Sequence, residues 1–274
     1  MFAAALIVFR ETLEAALLVG IVAAATSTVS GARRWIGAGI ASGLAGAVMI
    51  AVTMGTIARA FDGVGQELLN AAILAGAVVM LGWHTLWMAQ HGAEMAANAR
   101  ALGIRIGSGT AALSAALVAV ALAVLREGAE TVLFVFGMLS AADASAAGVV
   151  IGGVLGALGG VLLGALIYVG FRRVPVRVLF NVTGVLIVFF AASMAAQLAR
   201  QLIQADLLPA LVATLWDTSR WLPMESMPGT LLHALLGYEA RPSAMQVLFY
   251  AAVLASLFAA RRLAAPAHVR PQAI

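Results

Sequence analysis

A chain of 274 residues that is 63% hydrophobic and only 10% charged, with a mean hydropathy of +1.04, lies far outside soluble globular domains, where about a quarter of residues are charged. The formal net charge of +4 comes from Arg residues in short stretches between apolar runs, a pattern that orients a membrane protein and excludes a nucleic-acid surface. With no Cys, disulfides, thiolate metal ligands and redox thiols are excluded, so any metal has to be held by oxygen, His or Met.

Apolar runs long enough to cross ~30 Å of hydrocarbon fall at roughly 2–27, 35–59, 68–90, 110–140, 146–170, 178–203 and 245–263, which predicts an all-α, polytopic membrane protein of seven helices. Met1 to Phe9 lacks the basic start of a signal peptide and runs directly into Arg10, so it is read as the start of the first span. Arg33 and Arg34 follow the first run, Arg100 and Arg105 the third, Arg172, Arg173 and Arg177 the fifth, and Arg261, Arg262 and Arg270 the last. The opposite connections hold only Arg59, Arg200, Arg220 and Arg241 beside seven acids, among them Glu67, Asp217, Glu225 and Glu239. The excess of Arg marks the cytoplasmic side and places the N-terminus outside and the C-terminus inside. One transmembrane domain over 1–264 is expected, with a long external segment at about 204–244 that packs rather than extends into solvent, and a cytoplasmic tail over 265–274. Basic residues that are all Arg, in a chain rich in Ala and Gly, suggest a GC-rich coding bias, hence a bacterial inner membrane.

Two pentapeptides of one pattern interrupt otherwise uncharged runs: Arg10-Glu11-Thr12-Leu13-Glu14 in the first helix and Arg126-Glu127-Gly128-Ala129-Glu130 in the fourth. Six charges at mid-membrane depth cost roughly 15–20 kcal/mol on insertion scales and are kept for function. Their recurrence divides the chain into repeats at about 1–90 and 110–203, and three spans per repeat invert the second copy. Small residues support the repeat: Gly39, Gly43, Ala47, Ala51 and Gly55 in the second helix match Gly148, Gly152, Gly156, Gly160 and Gly164 in the fifth, all four apart, as tight helix packing requires.

At 100° per residue, Glu11 and Glu14 stand about 60° apart with Arg10 beside them, and Glu127, Glu130 and Arg126 repeat the arrangement. Opposed across the bundle, four carboxylates and two guanidiniums leave a formal charge of −2, a cation site of hard oxygen ligands suited to Fe³⁺, Mn²⁺, Mg²⁺ or Ca²⁺. Self-neutralising structural ion pairs and a proton relay are the other readings of these residues, the latter serving a proton-coupled exporter of a small organic solute. His84, Met88, His91 and Glu94 in and after the third helix form either a second metal station or, as favoured here, an interfacial belt. Glu67 and Asp217 are candidates for drawing cations to the outer entrance. No Gly-x-x-x-x-Gly-Lys phosphate loop is present, and nothing in the sequence suggests an enzyme.

The doubled Arg-Glu-x-x-Glu in the first and fourth of seven helices resembles the iron permease family, which includes fungal high-affinity ferric permeases and the membrane subunit of bacterial Efe-type ferrous iron uptake. Glu67-Leu68-Leu69, Trp83, Trp87-Met88, Gly229, Gly237-Tyr238, Pro242-Ser243 and Gln246 extend the likeness over nearly the whole chain. The resemblance implies that Glu11, Glu14, Glu127 and Glu130 bind iron in passage, supported by Arg10 and Arg126, with iron as substrate and no resident cofactor. It also implies a periplasmic iron-oxidising peroxidase and a periplasmic iron-binding protein as partners. Related permeases include lead uptake proteins, so lead and manganese remain alternatives to iron. Thr12 and Ala129 stand where many relatives have Gly and Leu, which leaves helix register unaffected.

Overall fold

The computed structural model describes residues 1–60, 66–140, 145–170 and 176–264. The predicted tail over 265–274, with Arg270, lies outside the described residues, as do Arg172 and Arg173. The regular elements among the described residues are all helices: α1 (Phe2–Ala25), α2 (Ala32–Ala60), α3 (Gln66–Gly107), α4 (Leu113–Ser140), α5 (Ala146–Tyr168), α6 (Val176–Gln204), α7 (Met227–Leu236) and α8 (Ala244–Ala264). Five stretches are long and apolar enough to cross a membrane: α2, α5 and α8, with the first half of α3 and most of α6. At 24 and 28 residues α1 and α4 have the length to span, but each carries three charges of its motif.

Two elements depart from the expectation. The third helix does not end near residue 90; α3 runs for 42 residues, about 63 Å, so Arg100 and Arg105 stand on a helix and not in a loop. Hydropathy falls after Met88, but Ala93, Glu94, Met95, Ala96, Ala97 and Ala101 are strong helix formers with no Pro to interrupt them. Beyond the apolar stretch the helix finds its own packing, with Gly103 against Ala25 and Ile106 buried beside Val22 and Ile36. The segment between α6 and α8, expected to be external, contains α7, capped at its start by Ser226, whose hydroxyl accepts from the Gly229 N–H at 3.1 Å, and closed by Gly237 in the left-handed conformation at φ 71. The rest is fastened by backbone bonds from Leu215 to Pro242 and from Thr218 to Ala240, and by the Trp216 indole N–H donating to the Glu239 carbonyl.

The small residues decide which helices meet. α5 lays its glycines on α1, where Gly156 lies against Ala5 and Phe9, and Gly160 against Phe9, Thr12 and Leu13. α2 does the same to α4, with Gly39 and Gly43 against Leu117, Val120, Ala121 and Val124. The opposite faces of α2 and α5 expose Leu44, Val48 and Val52, and Val154, Leu158 and Leu162, apolar surface that in a membrane meets lipid. α1 and α4 also contact one another, and α3 packs on α6, which packs on α8.

Two apolar cores result. Ile7, Leu74, Leu81, Phe134, Ile187 and Val188 are fully buried toward the N-terminal end of α1. Val22, Ile36, Ile106, Val120 and Val124 form the second core toward its C-terminal end. In α1 and α4 the charged pentapeptides fall between the two.

Candidate functional site

Arg10, Glu11 and Glu14 come from α1, Glu127 and Glu130 from α4, and all are buried between the helices that carry them. The i, i+4 spacing brings Arg10 Nη2 to 2.9 Å from Glu14 Oε1, and its Nη1 lies 3.2 Å from Glu11 Oε1. In α4 the same spacing places Arg126 Nε 3.2 Å from Glu130 Oε1, but Glu127 is 3.8 Å from that nitrogen. The two copies therefore differ. The Arg10 side chain is 5% exposed and held by two acids, whereas that of Arg126 is 31% exposed and turns elsewhere. Its guanidinium lies over the Trp87 ring, 4.4 Å from the centroid, and Nη1 donates to Met95 Sδ at 3.5 Å.

His84 departs most from the expectation. It is 1% exposed and inserted between the two motifs, not placed in an interfacial belt. Its Nδ1 edge contacts Glu130 Oε2, while Nε2 stands 3.6 Å from Glu14 Oε2 and 3.8 Å from Glu11 Oε2. One ligand atom each from Glu11, His84, Glu127 and Glu130 lies within 4.8 Å of the others, the one such group of three or more His or acidic residues among the described residues. Sequence depth misplaced His84: α3 has made about five turns on reaching it, against about three for α1 on reaching Glu11, yet the two residues lie level. The run His84, Met88, His91 and Glu94 does not act as a unit. His91 stacks on Trp87 with centroids 4.9 Å apart, its Nδ1 within 3.1 Å of the Trp87 carbonyl. Met88 lines a cavity of about 590 Å³ that also touches Arg10, Glu14, Thr85, Met95 and Arg261.

Glu67 and Asp217 are apart from this cluster. Glu67 is exposed in the first turn of α3, where its charge complements the helix N-terminus. Asp217 accepts from the Ser219 hydroxyl at 2.6 Å and the Ser219 N–H at 3.0 Å, with Arg241 Nε at 2.9 Å. These bonds, the Ser219 hydroxyl foremost, hold its carboxyl at about 2 and tie down the turn. Asp217→Asn is expected to loosen this turn without disturbing the buried cluster, read as faster amide exchange at Ser219 and its neighbours.

The buried cluster has an excess of acid that its own guanidiniums do not satisfy. Both Glu127 oxygens, Glu11 Oε2 and His84 Nε2 have no hydrogen-bond partner. Unpaired polar atoms at this burial are costly unless a ligand completes them.

Apolar spanning helices around buried, convergent ionisable groups define a multi-pass membrane protein with a polar site inside its bundle. The Iron permease FTR1 family matches residues 1–265, and the chain belongs to that family. Among its relatives, the protein named Ferrous iron permease EfeU of Escherichia coli O6:H1 is 32% identical over 254 residues, covering 90% of each chain. The protein of the same name from Yersinia pestis is 30% identical over 256 residues, covering 91% of this chain and 89% of its own. No solved structure matches. Family and relatives are permeases, so the chain is an iron-transport protein and not an enzyme.

Proposed function

We propose that the protein carries iron, in the ferrous form for which its relatives are named, across the bacterial inner membrane through the carboxylate cluster shared by α1 and α4. The carrying observation is the set of unsatisfied, buried carboxylate oxygens from both motifs facing one centre. Glu11, Glu14, Glu127 and Glu130 supply oxygen ligands, while Arg10 and Arg126 orient them and limit their mutual repulsion when the ion leaves.

In this reading seven helices span, α1 and α4 included, with the N-terminus outside, and α7 belongs to the outer segment. An inverted repeat is supported by the crossed pairing, since α1 rests on α5 as α4 rests on α2. The cavity beside Glu14 and Arg10 extends to Arg261 in the last turn of α8, on the Arg-rich side, and serves as the route of release. The apolar core around Leu81 and Phe134 closes the other side. A membrane potential supplies about 2.3 kcal/mol per charge per 100 mV, about twice that for a divalent ion. A periplasmic iron-oxidising or iron-binding partner delivers the ion at the outer segment.

Reconstituted protein is expected to take up radiolabelled iron saturably, with Mn²⁺, Zn²⁺ and Pb²⁺ competing weakly. Solute-driven proton flux without iron entry would defeat the assignment. Orientation is open to a direct check, because the chain has no native Cys. Single cysteines at Arg34 and at Glu239 should label with impermeant reagent only from the cytoplasmic and only from the periplasmic side, respectively.

A further inference from the structure

We infer that His84 is itself an iron ligand, making the site a mixed nitrogen and oxygen centre and setting its preference for Fe²⁺ over Ca²⁺ and Mg²⁺. The inference rests on the proposed iron site and adds a donor from a third helix, which neither pentapeptide contains. α3 brings the imidazole between the motifs, buried as deeply as the carboxylates, with Nε2 not hydrogen-bonded. The Nδ1 edge rests on Glu130, leaving the Nε2 lone pair directed to the side where Glu11 and Glu14 stand. Metal-bound histidines have this arrangement, one nitrogen against a carboxylate that fixes the ring and the other free for the ion.

The spacing agrees. At 3.6 and 3.8 Å, Nε2 is beyond hydrogen-bonding distance of the Glu14 and Glu11 oxygens. Metal–ligand bonds of ~2.1 Å at tetrahedral or right angles set neighbouring donors ~3–3.4 Å apart, so an ion held by Nε2, Glu11 and Glu14 draws these donors to Nε2 by less than about 1 Å. Four carboxylates alone suit Ca²⁺, Mg²⁺ or Mn²⁺ as well as iron. Imidazole suits iron and not the alkaline-earth ions, so a single nitrogen donor shifts the site toward iron.

The test uses the purified full chain with Fe²⁺ added anaerobically and nitric oxide to make the iron visible by pulsed electron paramagnetic resonance. The expected spectrum shows a histidine nitrogen coupling that persists in His91→Gln and vanishes in His84→Gln, with iron still bound. In proteoliposomes His84→Gln lets Ca²⁺ compete roughly tenfold better against Fe²⁺. Iron bound by the unaltered protein without histidine coupling, or coupling that survives His84→Gln, overturns the role of His84 and leaves the carboxylate site standing. No iron bound at all removes the carboxylate site and this inference together. If His84→Gln does not fold, His84→Asn replaces it, and the unaltered spectrum still decides whether a histidine binds.

Discussion

Glu127→Gln is expected to abolish iron uptake while leaving the protein as stable as before, or more so. The two effects separate because Glu127 has no close cationic partner: the nearest guanidinium nitrogen is 3.8 Å away and neither oxygen is hydrogen-bonded. Converting it to an amide of the same shape breaks no close ion pair and no hydrogen bond, so the resting protein loses nothing it depends on. Transport loses a ligand and a unit of negative charge, expected to cost at least about 100-fold in uptake, since even outer-shell partners of a metal cost 10–100-fold. Glu14→Gln should behave differently. Its carboxylate pairs with Arg10 at 2.9 Å, and breaking a buried pair costs about 3–5 kcal/mol, so uptake and thermal stability should fall together. Proteoliposome uptake beside thermal unfolding in detergent distinguishes the two variants. Near-normal uptake by correctly inserted Glu127→Gln would remove this residue from the site.

The second large effect concerns the small faces. Gly160→Val and Gly43→Val are each expected to prevent accumulation of folded protein. A Cβ at Gly160 would lie 2.7 Å from the Phe9 carbonyl oxygen and 3.0 Å from the Leu13 nitrogen, backbone atoms that cannot step aside. At Gly43 it would lie 2.8 Å from the Ala121 carbonyl oxygen and 2.7 Å from Val124 Cβ. Such overpacking costs about 1–3 kcal/mol or more, and here it pushes a motif helix off its support. Gly37 in the same α2 helix has nothing within 4 Å, so Gly37→Ala should be tolerated and add up to about 1 kcal/mol of helix propensity. Detergent-extracted yield by fluorescence-detected size exclusion reads all three.

What could be read in the sequence was whatever depends on position along one helix. The spacing of Glu11 and Glu14, or of the glycines in α5, is a property of 100° per residue and holds in any surroundings. The pairing of α5 with α1 was not legible, because four-residue spacing states that something packs there and not what. His84 was misplaced for a related reason: counting along an apolar run measures depth only when neighbouring helices start level, and α3 does not start level with α1. The second half of α3 was lost because polarity ends a membrane span without ending a helix. Trp87 and Met95 carried no sign that they would receive Arg126, since a cation over an aromatic ring is settled only by tertiary structure.

The crossed pairing also bears on how the chain is made. α1 is synthesised first and carries Arg10, Glu11 and Glu14, yet the glycines that receive it belong to α5, at Ala146–Tyr168. With α1 a span, as proposed, the first helix would enter the bilayer during translation with its charges and without its support, at a cost of about 2.5–3.5 kcal/mol per central charge. Its partner acids and His84 arrive only with α3 and α4. Biogenesis therefore has an obligatory waiting period, in which the insertion machinery or a chaperone must shelter α1 until the second half of the chain emerges. Ribosome stalling before α5 should leave α1 crosslinked to that machinery, and release into lipid should follow once the glycine face of α5 has been translated.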